Sequence, residues 1–194
     1  MSLVRLPPYV EGGSLLDTSR AIAQFGPEEH GLLGWSFDPS HGQGTAIGTG
    51  GVLYLTKIKL LAAATITNVG LYVVTAGATL TANQCFASLY SASGALLAAT
   101  ANQATNWTST GLKTMALSSA QAVNSGYVYV GFYSVGTTQP AFLRGSSQAA
   151  ASINVGLATP VMRYSSANTG LTTASPSTFS AQTATANAIW AAVS

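Results

Sequence analysis

From residue 52 onward the chain alternates apolar and polar positions in short runs broken by turn residues. The runs are "VLYLTKIKLLA" (52–62), "TITNVGLYVVTA" (65–76), "QCFASLYS" (84–91), "ALLAATA" (95–101), "TGLKTMALS" (110–118), "YVYVGFYSV" (127–135), "PAFLRG" (140–145), "TPVMRYS" (159–165) and "NAIWAAVS" (187–194). Their period-two spacing and their β-branched and aromatic content predict strands. The separators "SASG", "NSG" and "ANTG" carry turn chemistry. "SSQAAASINVG" has room for one helical turn in a crossing loop. Many short strands with hardly a helical pattern among them predict an all-β chain, an antiparallel β-sandwich of jelly-roll-like form over 52–194.

The first 40 residues are patterned differently and predict an extended N-terminal attachment arm. "LPPYV" favours an extended entry, because proline fixes φ and removes a donor. "DTSRAIAQFGP" predicts a short helix, with Asp17 capping its start, Ile22 and Phe25 sharing a face, and Gly26-Pro27 stopping it. In "EEHGLLGWSFDPS" three bulky residues, Leu33, Trp35 and Phe37, stand at alternate positions of a loop. A segment this short cannot bury them alone, so Ile22, Phe25, Leu33, Trp35 and Phe37 are expected to dock the arm on the body or on another chain. "HGQGTAIGTGG" (41–51) predicts a glycine-rich link. A dinucleotide loop would follow a strand and open a helix, whereas this stretch opens into a strand run.

Composition narrows the chemistry. Charged residues make up 6% of the chain, against about 25% in an average domain. Ala, Thr, Ser and Gly together supply half of it, and the last carboxylate side chain is Asp38. Residues 1–38 hold two arginines against five carboxylates, a net of −3, and the remainder holds Lys57, Lys59, Lys113, Arg144 and Arg163, a net of +5. An acidic arm and a basic body attract one another, within a chain or between copies. Five scattered cations are too sparse for a nucleic-acid footprint, so no nucleic-acid partner is expected. No run reaches the roughly 18 apolar residues of a membrane span. Cys85 stands alone in an apolar run, which predicts a buried small hydrophobe and no intramolecular disulfide. "MSLVRLPPYVEGG" lacks the apolar core of a signal peptide, so synthesis and folding in a bacterial cytoplasm are expected.

The same scarcity removes most catalysis. Glycoside hydrolysis generally needs two carboxyls, and the body has none. A serine nucleophile needs a base and an orienting acid, but the histidines, His30 and His41, sit in the arm and link. Glu28, Glu29, His30, Asp38 and His41 are ligand-type residues close in sequence, at spacings that match no metal motif, and a solvated acidic loop is the simpler reading. No enzyme activity, cofactor or metal is expected. In "YVYVGFYSV", Tyr127, Tyr129 and Tyr133 share one strand face, with Val128, Val130 and Phe132 on the other. A tyrosine face suits stacking on sugars or a partner chain, but coverage of both faces within an assembled sandwich is the preferred reading. Trp107, in a loop entering a strand, reads as a hydrophobic plug or a sugar platform.

Taken together, "TKIKL", "ITNVGLYVVTAGATLTANQ", "ASLYSASGALLAAT", "WTSTGLKTMAL" and "GYVYVGFYSV", over about residues 51–145, resemble a β-sandwich module in structural proteins of tailed bacteriophages, notably minor tail proteins of actinobacterial phages and prophages. The resemblance implies a non-enzymatic virion protein, anchored to other virion proteins by its arm. The resemblance does not by itself say head or tail; within the virion reading, a tail or receptor-binding component is preferred to a capsid decoration or head-fibre protein. The resemblance also implies self-association, with a trimer favoured; contact with a host cell-surface glycan would rest on the tyrosine face and Trp107. Ser91 and Ser93 stand where such hairpins often carry Asp, so cation-assisted sugar binding does not carry over. A carbohydrate-binding module of a bacterial protein and a component of a phage-derived injection system are the rival readings.

Overall fold

The computed structural model describes residues 26–146 and 148–194. The helix expected from Asp17 onward, with Ile22 and Phe25 on one face, lies outside them. β1 (Gly34–Trp35) and β2 (Gly44–Ile47) belong to one sheet, and β3 (Leu53–Leu60) opens a second. β4 (Ala64–Thr75) returns to the first, β5 (Ala78–Leu80) enters a small ribbon, and β6 (Phe86–Ser91) with β7 (Leu96–Ala99) makes a hairpin of the second. β8 (Gly111–Val123) crosses back to the first sheet and β9 (Gly126–Tyr133) to the second. β10 (Gly136–Thr138) pairs with β5, and β11 (Ala141–Arg144) joins the first sheet. Beyond a helical turn at Ala150–Ile153, β12 (Tyr164–Ala167) and β13 (Thr183–Ala184) extend the second sheet, and β14 (Ala191–Val193) ends in the first.

The second sheet runs β13-β12-β3-β9-β6-β7. In the first, β8 lies on one side of β4. On the other side, β14 opposite Val69–Leu71 and β11 opposite Val73 and Thr75 lie end to end, with β1 outside β14 and β2 outside β11. Every strand pair among the described residues is antiparallel. A bridge between Thr100 and Leu117 ties the β7 edge of one sheet to the β8 edge of the other. The chain is the antiparallel all-β sandwich that its alternation predicts.

The glycine-rich stretch departs from its expected role as a link. Thr45 pairs with Leu143 and Ala46 with Phe142, and Ala46 is buried. Gly42, Gly44, Gly48, Gly50 and Gly51 largely flank "TAI" rather than interrupt it, so those residues can still extend against β11. Gly51 itself needs to be glycine, because its φ is +70° and a Cβ there would sit 3.0 Å from the Leu171 carbonyl oxygen.

Side-chain alternation sorts the core into two layers. Tyr54, Ile58 and Leu60 of β3 and Val128, Val130 and Phe132 of β9 point between the sheets, toward Val69, Leu71, Val73, Met115 and Phe142. Leu53 and Leu55, with Tyr129 and Tyr133, point to the outer face of the second sheet. There Leu171 and Phe179, from the segment after β12, cover them. Tyr90 reaches the same layer, lying over Gly131, where an added Cβ would come within 2.7 Å of its ring. β3 therefore reads as a continuous buried run over its first four residues, where both of its faces are covered.

Candidate functional site: a cation-bearing groove

The covered layer on the outer face of the second sheet stops part-way along β3. Leu53 and Leu55 give way at the same alternate positions to Lys57 and Lys59, and on the neighbouring strand Tyr133 and Tyr129 give way to Tyr127. Tyr129 is buried, while Tyr127 is 46% exposed. At this end the segment 157–163 borders the sheet and brings Leu157 and Arg163 beside it. The result is an open groove of about 270 Å³ lined by Ser36, Lys57, Lys59, Tyr127, Leu157 and Arg163.

Two of the three cations, Lys57 and Arg163, are held by the fold. The Lys57 ammonium donates to the Val161 carbonyl at 3.0 Å and lies 4.3 Å from the centre of the Tyr127 ring, within cation–π range. Partial burial pushes its pKa down. Arg163 donates from Nη2 to the Ser36 carbonyl at 2.6 Å, and its guanidinium carbon lies 5.2 Å from the Tyr164 ring. Asn154 fixes the backbone beneath it, accepting from the Arg163 and Tyr164 amides at 2.8 and 3.1 Å and donating to the Tyr164 carbonyl. Arg163 also borders a second hollow of about 350 Å³, lined in part by Phe37, His41, Ser152 and Ile153. A third, of about 230 Å³, lies where Leu32 and Pro39 meet Tyr72, Leu112, Leu143 and Trp190.

The aromatic residues singled out from sequence separate. Trp107 is fully buried, edge-on to Phe142 with ring centres 5.5 Å apart, so it is a plug and offers no sugar platform. Tyr129 and Tyr133 are likewise buried, because Phe179 and its neighbours close over them; the Tyr129 hydroxyl donates to the Pro160 carbonyl at 3.1 Å. Of the tyrosine stripe only Tyr127 faces outward. Lys57, Lys59 and Arg163 were not among the predicted site residues. The break in "LTKIKL" from apolar to lysine at alternate positions marked two of them, whereas Arg163 arrives from a loop that no local pattern connects to β3.

The arm residues also separate. Trp35 and Phe37 are partly buried, Trp35 edge-on to His30 at 5.1 Å and Phe37 packed against Gly145, while Leu33 is 41% exposed. Asp38 accepts from the Ser40 amide at 2.8 Å at the start of a 3-10 turn, and hydrogen bonds from the Ser40 hydroxyl and then its amide lower the carboxyl pKa. Among the described residues no three His, Cys, Asp or Glu side chains gather as a metal-holding group. Cys85 is buried.

The buried tyrosines make stability sensitive to alkali. Burial raises the Tyr133 pKa to about 12 and raises those of Tyr90, Tyr129 and Tyr164. In an unfolded chain these phenols ionise near 10, so the folded state holds more protons above that pH and stability falls as pH rises. Their contribution is fully present below about pH 10 and is lost through the folded-state values. Denaturant midpoints that stay level from pH 8 to about 12 would contradict this coupling.

No family model, curated protein or solved structure matches this chain. Among the described residues, no helix is long and apolar enough to cross a membrane.

Proposed function

We propose that the chain is a non-enzymatic structural protein of a tailed-bacteriophage particle, its sandwich facing outward as an attachment module. The observation that carries this reading is the groove. It gathers Lys57, Lys59 and Tyr127 of the second sheet with Arg163 from the loop before β12, groups suited to binding and without the paired acid and base that most hydrolytic chemistry requires. The two histidines, His30 and His41, lie before β2 rather than in the groove. The resemblance of residues 51–145 to tail-protein sandwiches supports the same conclusion.

In this reading the partners are other virion proteins at the N-terminal end, further copies of the chain in a trimer, and a host cell-surface glycan. A tail or receptor-binding position is preferred to capsid decoration, because an outward groove has work to do there. Antibody raised against the purified chain should label intact particles from a culture carrying the gene, at the tail tip. Label on the head would assign decoration instead. Particles that carry none of the protein would overturn the virion reading and leave the carbohydrate-binding module.

A further inference from the structure

We propose that the groove of Lys57, Lys59, Tyr127 and Arg163 binds an anionic saccharide, a chain whose sugar or polyol units carry carboxylate or phosphate groups. This gives a chemical class to the glycan partner of the reading above, and it is tested on the isolated protein, so the two can fail separately.

Three of the body's five cations line this one hollow, and no carboxylate side chain follows Asp38 in the sequence. Among the described residues Lys57, Lys59 and Arg163 form no ion pair, and the bonds that fix Lys57 and Arg163 run to the Val161 and Ser36 carbonyls. Those carbonyls orient the cations without neutralising them. An ammonium has three donors and a guanidinium five, so most remain for a ligand. Charge-assisted bonds from such donors to carboxylate or phosphate are the strong ones.

The groove is built of donors. The Ser36 hydroxyl is already engaged, accepting from the Ala191 amide at 3.0 Å and donating to the Ile189 carbonyl. A neutral sugar needs acceptors as well as donors for its hydroxyls, and the side chains here provide few. An anion needs donors alone. Partial burial of Lys57, which disfavours its charge, makes an incoming anion more welcome.

Size and shape point to one unit of a chain. About 270 Å³ is near the lower limit of small-molecule sites, which run from about 300 to 1,000 Å³, and the groove is open to solvent. The half-exposed Tyr127 ring and the exposed Leu157 offer an apolar surface beside the charges, as the C–H face of a sugar requires. Nucleic acid is the poorer fit: one exposed tyrosine and three cations fall short of the repeated stacking platforms and clustered charge that single strands need.

The test is titration calorimetry of the full chain with trigalacturonic acid, with a short poly(glycerol phosphate) and with neutral galactotriose. At least one anionic probe should bind about tenfold or more tightly than galactotriose, and added salt should weaken it. Binding of the first probe alone assigns a uronic-acid chain, and of the second alone a phosphate-linked one. Lys57→Gln, Lys59→Gln and Arg163→Gln should each weaken binding several-fold, about tenfold for Arg163→Gln. Lys59 is exposed, so its variant carries the test if either of the others fails to fold. The proposal is overturned if neither anionic probe binds, if galactotriose binds equally well, or if binding survives all three variants. A single-stranded oligonucleotide of equal charge that binds more tightly also overturns it. So does concentration-dependent self-association abolished by the same variants, which would give the groove to an acidic segment of a second copy.

Discussion

Trp107→Ala should lower the stability of the domain by about 3–5 kcal/mol, the usual cost of emptying a buried tryptophan site. The indole is fully buried, on a 3-10 turn at Asn106–Thr108 that leads into β8. Its ring meets Phe142 edge-on, and Phe142 meets Phe132 at 5.0 Å, so the three rings form a chain across the interior from one sheet to the other. The backbone is fixed as well, the Trp107 amide donating to the Gln103 carbonyl at 2.9 Å and its carbonyl accepting from Gly77 at 3.0 Å. That leaves little freedom for the turn to collapse into the space, which sets the cost toward the upper end. The indole N–H is buried without a partner among the described residues, so Trp107→Phe should cost distinctly less, because it removes that unpaired donor while keeping most of the ring. Urea denaturation followed by far-UV dichroism measures both. A Trp107→Ala variant of unchanged midpoint that had lost glycan binding would return the residue to the surface role.

Trp107 shows where the sequence is legible and where it stops. Alternation located the long strands β3, β4, β8 and β9 and sorted Val128, Val130 and Phe132 from the tyrosine face, because each face of a strand repeats every second residue. It could not say which part of that face is covered. Cover comes from Leu171 and Phe179, residues in a stretch rich in Ser and Thr with no period of its own. β1, β2 and β13 span only two to four residues, too few for a period to register. The same limit explains the groove. Lys57 and Lys59 are visible as a change in the pattern of β3, but Arg163 joins them through a loop whose position depends on Asn154, a residue whose role emerges only when the fold brings it against Tyr164.

The boundary of the arm is the other feature that tertiary structure relocates, and it yields a large expected effect. A cut after residue 40 looks harmless in sequence, because the apolar runs begin at 52. In the fold, residues 33–36 are part of the first sheet. The Leu33 amide donates to the Val193 carbonyl at 2.8 Å and the Ser36 amide to the Ala191 carbonyl at 2.9 Å. Gly34 presses on β3, where a Cβ would come within 3.0 Å of Ile58. Removing residues 1–40 therefore strips β1 from β14, uncovers Ile58 and Leu60, and frees Arg163 from the Ser36 carbonyl. A hydrogen bond contributes about 1 kcal/mol net, and uncovered apolar area adds to that loss, while the ordering entropy recovered offsets part of it. Against a chain lacking only residues 1–25, the shorter chain should melt about 10 °C lower, or aggregate through its exposed β14 edge. Ser36→Ala isolates one component, because the Ala191 amide loses its partner while buried, a change of about 1–3 kcal/mol. The two truncations differ only by residues 26–40, so equal melting temperatures would mean that β1 contributes nothing to the sandwich. A lower melting point together with unchanged anion binding would place the arm's contribution in the sheet and the groove's in Lys57 and Lys59.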